Sequence, residues 1–409
     1  MRRIARKIAF ALAGPALAGM VFAGLSLAGG EAMAQGCRNT GDFRAWLNDF
    51  AREAVAQGVS ENAVRAGLGG VSFQESVVKR DRAQGVFAQS FLEFSGRMVA
   101  QYRLDGGRQK IAQQARLFSD IESRYGVPAP VIVAFWGLET DFGANTGDFP
   151  TLPALATLAY DCRRPEKFRP QLLDALRLID RGDLRPEQMK GAWAGELGQL
   201  QFLPSDYMRD AVDFDGDGRR DLIRSTPDAI ASAAALLVHH GWRRGEPWLE
   251  EVVAPGDMPW AEADLAIRHP RAQWAAWGVT RRDGALPADQ FPAALVLPMG
   301  RLGPAFLAYP NFDVYLRWNQ SLVYTLTAAY FATRLAGAPK VAPGRGNPPV
   351  MSVADIRSLQ QRLAGMGYDV GKIDGIIGEN TRAAVKAVQL KLGMPADSYP
   401  TPELAQKLR

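Results

Sequence analysis

A carboxylic acid that stays protonated near neutral pH can serve as a general acid, and Glu139 is a candidate for that chemistry. It is the first acidic residue after the apolar run Val131-Ile132-Val133-Ala134-Phe135-Trp136-Gly137-Leu138. A carboxyl at the end of so apolar a segment sits where water is scarce, and desolvation disfavours its charged form. A second group of acids has metal-ligand spacing. Asp213, Asp215, Asp217 and Asp221 fall at positions 1, 3, 5 and 9 of an EF-hand-like loop, with Gly216 at the sixth. Arg219 would add only its backbone carbonyl. Two positions depart from the pattern: Arg220 stands at the eighth and Arg224 at the twelfth, where a bidentate Glu is usual. Gln201 follows a glycine-rich turn, where backbone can approach a ligand closely and an amide can both donate and accept. Asn319 offers the same amide chemistry, and Arg163 with Arg164 could hold the carboxylates of an acidic substrate.

These residues need a scaffold, and the pattern predicts a helical one. Pro128-Ala129-Pro130 opens a helix where proline is tolerated, and the run after it is apolar on every face, so this helix is expected to be buried. From about Asp42 to Ala336 apolar residues recur at three and four, punctuated by Gly and Pro. Leu295-Val296-Leu297 reads as a short piece of sheet. Residues 338–351 lack periodicity and are rich in Pro and Gly, which reads as a semi-extended linker. Residues 352–409 then form a compact helical unit. It has an amphipathic stretch from Ile356 to Leu363, a turn at Gly365-Met366-Gly367-Tyr368, and a second helix from Thr381 to Leu392.

The run Phe135-Trp136-Gly137-Leu138-Glu139-Thr140-Asp141-Phe142-Gly143 resembles the catalytic segment of the lytic murein transglycosylase B family. The resemblance continues in order. Leu158 to Arg164 resembles the family's arginine-pair segment. Ala192 to Ser205 resembles its W-A-G-x-x-G-x-x-Q-F-x-P-S block, and Asn319 to Tyr324 its N-x-S-x-x-Y segment. The Ile373-Asp374-Gly375 segment, with Gly378 and Thr381, resembles the three-helix peptidoglycan-binding domain of wall hydrolases. The implied fold is mainly α: a lysozyme-like catalytic domain at 38–337 with helical extensions and the EF-hand-like loop, plus the small three-helix domain.

The resemblance also implies an activity, the cleavage of the MurNAc-GlcNAc β-1,4 bond of peptidoglycan with a 1,6-anhydro-muramoyl product. Glu139 would act first as acid and then as base. Gln201 and Asn319 would contact sugar in the cleft, and Arg163 and Arg164 would meet lactyl or peptide carboxylates. Tyr324 would either orient the acid or pack. No cofactor is needed for that chemistry; a structural Ca2+ would sit in the acidic loop, closed by Asp228. A hydrolytic muramidase is the nearest rival and would want a second carboxylate, with Asp141 and Glu196 as candidates. A non-catalytic wall-binding scaffold is the rival from another class, and the intact Glu139 argues against it. Partners among cell-wall synthases or amidases leave no mark in the sequence.

The hydrophobic fraction of 47% and charged fraction of 22% are those of a globular protein. Arg2, Arg3, Arg6 and Lys7 precede an apolar stretch ending at Ala32-Met33-Ala34, the pattern of a secretory signal peptide over 1–34 and so of a periplasmic protein. Its removal takes the net charge from +5 to +2. So small an excess, with no basic stripe, does not argue for nucleic acid. In an oxidising periplasm Cys37 and Cys162 can pair. Lipidation of Cys37 is disfavoured by Gln35 just before it.

Overall fold

The structure, a computed structural model, describes residues 41–82, 89–346, 348 and 350–409. The leader read over 1–34 and Cys37 lie outside the described residues. Among the described residues helix accounts for 52% and strand for 6%, so the fold is mainly α as the periodicity predicts. No helix among the described residues is long and apolar enough to cross a membrane.

The chain begins with α1 (Phe43–Ala56), α2 (Glu61–Leu68), α3 (Glu75–Arg82), α4 (Phe91–Met98), α5 (Gln101–Gln113) and α6 (Ala115–Tyr125). Their starts follow capping chemistry: Asp42, Ser60 and Ser90 each accept the amide three residues on. Gly126, left-handed at φ 72°, ends α6. Then comes α7 (Ala129–Thr140), entered from Pro128 with Pro130 in its first turn. Every residue from Val131 to Leu138 is buried, under α5, α6, α11 (Thr226–His239) and α14 (Leu322–Leu335). Burying each large side chain stabilises by roughly 1.5–3 kcal/mol. This central helix is therefore a rigid post for whatever its end carries.

Between α7 and α11 lie β1 (Phe149–Pro150), α8 (Thr151–Tyr160), α9 (Pro165–Asp180), β2 (Lys190–Gly191) and α10 (Pro204–Asp210). Beyond α11 the chain forms β3 (Leu249–Val252), β4 (His269–Pro270), α12 (Arg271–Ala276), β5 (Pro292–Val296) and β6 (Ala305–Ala308). These strands make an antiparallel sheet in the order β3-β6-β5-β4. Leu295 and Val296 lie in β5, while Leu297 falls just past it. The sheet builds a second core around Trp274, Leu295, Leu307 and Tyr309. α13 (Phe312–Trp318) and α14 return the chain to α7.

The small unit contains α15 (Val353–Gly365), α16 (Glu379–Lys391) and α17 (Pro402–Lys407) around Leu359, Leu363, Val385, Val388 and Leu404. The segment read as a semi-extended linker also makes hydrogen bonds of its own. Ala342 donates its amide to Glu251 (2.8 Å), Val341 to the Tyr330 hydroxyl (3.2 Å) and Arg345 to the Leu302 carbonyl (2.9 Å). A segment without secondary structure has to satisfy its amides elsewhere, and here the larger helical unit supplies the acceptors. The small domain is seated as well. Arg382 donates to the Leu297 carbonyl (2.9 Å), Lys386 pairs with Asp264 (2.8 Å), and Asp397 accepts the Arg301 amide (2.9 Å).

Candidate active site

Glu139 occupies the last turn of α7, half-buried, one residue before the helix ends. Phe135, four residues earlier on the same face, stacks on Trp318 with ring centroids 4.2 Å apart. Phe202 meets the same indole edge-on at 5.8 Å. Held by both rings, Trp318 donates its Nε1–H to Glu139 Oε1 at 3.0 Å. The Tyr324 hydroxyl donates to the same oxygen. Tyr324 thus contacts the Glu139 carboxyl and is also buried.

Asn319 sets this pair of donors. Its Oδ1 accepts the Ser321 amide (2.9 Å) and its carbonyl accepts the Thr325 hydroxyl (2.5 Å). Ser321 in turn caps α14. The turn from Trp318 to Tyr324 is therefore fixed by the side chain and backbone of Asn319 together.

Burial pushes the Glu139 carboxyl up to about 7. The donors Tyr324 and Trp318 favour the ionised form and pull the other way, while the neighbouring Glu196 carboxylate adds to the rise. Glu196 sits in a tight turn in which Leu197 and Phe202 exchange both backbone bonds at 2.8 Å. Its own carboxyl is raised by burial, against Lys167 and Arg164, and its Oε2 is buried without a hydrogen-bond partner.

Gln201 ends that turn in a left-handed conformation, φ 52°. Its Nε2 donates to the carbonyls of Thr146 (3.1 Å) and Gly198 (2.9 Å). Both amide hydrogens are committed to backbone, so an acceptor oxygen is what this side chain has left for a sugar.

Asp141, the candidate second carboxylate, is engaged with Arg103. The helix stops there, and Asp141 Oδ1 is taken by Arg103 at 2.7 Å from Nε. Arg163 and Arg164 are also directed elsewhere than expected, since both guanidiniums bind the buried carboxylate of Asp81, with Arg163 at 2.5 Å. A protein acid thus occupies the pair that the sequence assigns to substrate carboxylates. A carboxylate buried so completely is costly unless it is paired, and the two guanidiniums supply that pairing.

Two family models match the chain. The transglycosylase SLT domain covers residues 42–333 and a peptidoglycan binding domain covers 352–408. The chain belongs to the transglycosylase SLT domain family. Among its relatives, SltB3 from Pseudomonas aeruginosa, solved in complex with NAG-anhNAM-pentapeptide, is 39% identical with a TM-score of 0.84. That match covers 90% of this chain and 99% of SltB3. Membrane-bound lytic murein transglycosylase B of Escherichia coli strain K12 is 36% identical over 203 residues, 49% of this chain. The chain spans 55% of the length of that curated relative. Escherichia coli lytic transglycosylase Slt35, solved in complex with calcium, superposes with a TM-score of 0.61 at 28% identity, covering 71% of this chain and 92% of that one. The lysozyme-like, mainly helical architecture is shared with these neighbours.

The acidic loop comes together only in part. One carboxylate oxygen from each of Asp213, Asp215 and Asp217 lies within 4.8 Å of the others. Asp221 instead caps the Ile223 and Arg224 amides (3.1 and 2.9 Å). Asp228, fully buried at the start of α11, accepts the amides of Phe214 (2.7 Å), Asp215 (3.3 Å) and Asp221 (2.9 Å). It therefore pins the loop through its backbone, and the converging carboxylates are the first three. Carboxylate oxygens of this kind are the hard ligands that Ca2+ takes. Cys162 is disulfide-bonded.

Proposed function

We propose that the protein is a lytic transglycosylase that cleaves the MurNAc-GlcNAc β-1,4 bond of peptidoglycan and leaves a 1,6-anhydro-muramoyl end. The observation that carries this reading is the state of Glu139. Its carboxyl is held near 7, so both protonation states are accessible at neutral pH. Two donors lock Oε1, which leaves Oε2 to exchange the proton.

In the first step Glu139 donates its proton to the glycosidic oxygen as the bond to muramoyl C1 breaks. The resulting carboxylate then takes the proton of the C6 hydroxyl while that oxygen bonds to C1. The acid is regenerated and no water is consumed. One carboxyl serves both steps only if its pKa lies near the working pH. Trp318 and Tyr324 orient it, and Asn319 and Gln201 shape the cleft around it. In mass spectra of sacculi digested by the enzyme, the released muropeptides should be one water lighter than hydrolysis products. Reducing muramoyl ends would select the muramidase reading.

The C-terminal domain would bind the same polymer and raise the local concentration of substrate at the catalytic domain. The leader over 1–34 would export the chain to the periplasm. A structural Ca2+ would be held by Asp213, Asp215, Asp217 and the Arg219 carbonyl. Its binding should raise the melting temperature, and Asp215→Ala should abolish most of that rise. Calcium at about 100 times its dissociation constant would stabilise by roughly 2.7 kcal/mol. A melting curve unmoved by millimolar calcium or by chelator would contradict the site.

A further inference from the structure

We propose that Arg103 is a positioning residue for the catalytic carboxyl, acting through its ion pair with Asp141. The proposal rests on Glu139 being the acid of the reaction. Immediately beyond Glu139 and Thr140 the backbone runs through Asp141, Phe142 and Gly143 at φ 49°, 62° and 84°. Three left-handed residues in succession, two of them with side chains, are a conformation that the local chain does not favour. They persist where surrounding contacts impose them.

The contacts come chiefly from α5. Arg103, itself buried, reaches Asp141 Oδ1 with Nε at 2.7 Å and Nη2 at 2.6 Å. Its Nη1 donates to the Met98 carbonyl, which fixes the guanidinium in turn. Tyr102 reaches the same Oδ1 at 3.5 Å, and Asn145 donates to Oδ2 at 3.3 Å. One turn along α5, Gly106 and Gly107 receive the ring of Phe142; a Cβ at Gly106 would stand 3.2 Å from it. From the opposite side, the Thr140 hydroxyl donates to the Gln199 carbonyl (2.6 Å) and accepts the Gly143 amide (2.9 Å).

The two ends of the catalytic residue are thus held by different elements. α13 and α14 hold the carboxyl of Glu139 through Trp318 and Tyr324. α5 holds the backbone that follows it through Arg103 and the Phe142 cradle. A half-buried pair in which two guanidinium donors converge on one carboxylate oxygen fixes geometry more than it adds stability. Arg103 does not touch Glu139, so its effect on the reaction passes through the position of the helix end.

Asp141→Gly isolates the effect, because glycine adopts the left-handed conformation freely and removes only the carboxylate. The expected result is a melting temperature within a few degrees of wild type and an unchanged KM on soluble glycan chains. kcat should fall about tenfold or more, the scale of a small misplacement of a reacting group. The indole N–H resonance of Trp318, which reports the Glu139 oxygen, should shift. Asp141→Asn, which also tolerates this backbone and keeps an acceptor for Arg103, should recover most of kcat. Arg103→Lys, which keeps the charge but loses the fork, should behave as Asp141→Gly does and carries the same test if that variant fails to fold. Wild-type kcat with an unmoved Trp318 resonance in Asp141→Gly or Arg103→Lys would overturn the proposal. Glu139→Gln measured alongside separates the two failures. An inactive Glu139→Gln beside a fully active Asp141→Gly removes the role of Arg103 alone, whereas an active Glu139→Gln removes the assignment of the acid.

Discussion

Glu139→Gln should lose turnover on sacculi by at least about a thousandfold while still binding them, since one group serves as both acid and base. Glutamine keeps the shape and can still accept from Trp318 and Tyr324, so the fold has no reason to change. The same substitution has a signature in stability. Burial raises the Glu139 carboxyl from 4.5 to about 7. Stability linked to its protonated form is fully present below about pH 4.5 and is lost as pH rises through about 7. That interval corresponds to at most roughly 3 kcal/mol at 1.36 kcal/mol per pH unit, less whatever solvent the half-open site admits. Glu139→Gln should therefore match wild type in melting temperature at low pH and exceed it at pH 8. A variant that stays active, or that melts with wild type at every pH, would contradict the picture of a buried acid.

Tyr324→Phe should move the pH profile and lower its height. The reaction starts from protonated Glu139, so activity should be present below about 7 and fall as pH rises through that value. Tyr324 donates to the carboxylate and favours the ionised form. Removing its hydroxyl should shift the falling limb to higher pH. Glu196→Gln removes a like charge and should shift it to lower pH. Loss of orientation in Tyr324→Phe should also cost about tenfold or more in kcat. Rate profiles of the three enzymes between pH 5 and 9 test the signs, and a Tyr324→Phe limb that stays in place would mean that the tyrosine only packs.

The catalytic helix was legible because its signal is local: eight successive apolar residues ending in an acid can hardly be anything but a buried helix with a polar end. The spacing of Asp213, Asp215 and Asp217 was legible for the same reason. What fixes the acid was not. Trp318 and Tyr324 lie 179 and 185 residues from Glu139, and only the folded chain brings them to one oxygen. Tyr324 belongs to its motif, whereas Trp318 stands one position before that motif, where no pattern marks it. Arg163 and Arg164 were found, but the sequence gives no hint that Asp81, about 80 residues earlier, is their partner. The break after Glu139 was hidden because Asp141 and Phe142 are not residues that announce a left-handed turn. Their conformation is imposed by α5. Prolines mark a semi-extended linker at 338–351, but composition cannot say where its amides find acceptors.

Digestion of sacculi in water enriched in oxygen-18, read by mass spectrometry, tests the central claim most directly. Ring closure by the C6 hydroxyl brings no solvent oxygen to the muramoyl C1. The released products should therefore carry no label and should end in the anhydro ring, in wild type and Glu196→Gln alike. Incorporation of one heavy oxygen at C1 of the muramoyl end would mean that water is the nucleophile and that a second carboxylate activates it.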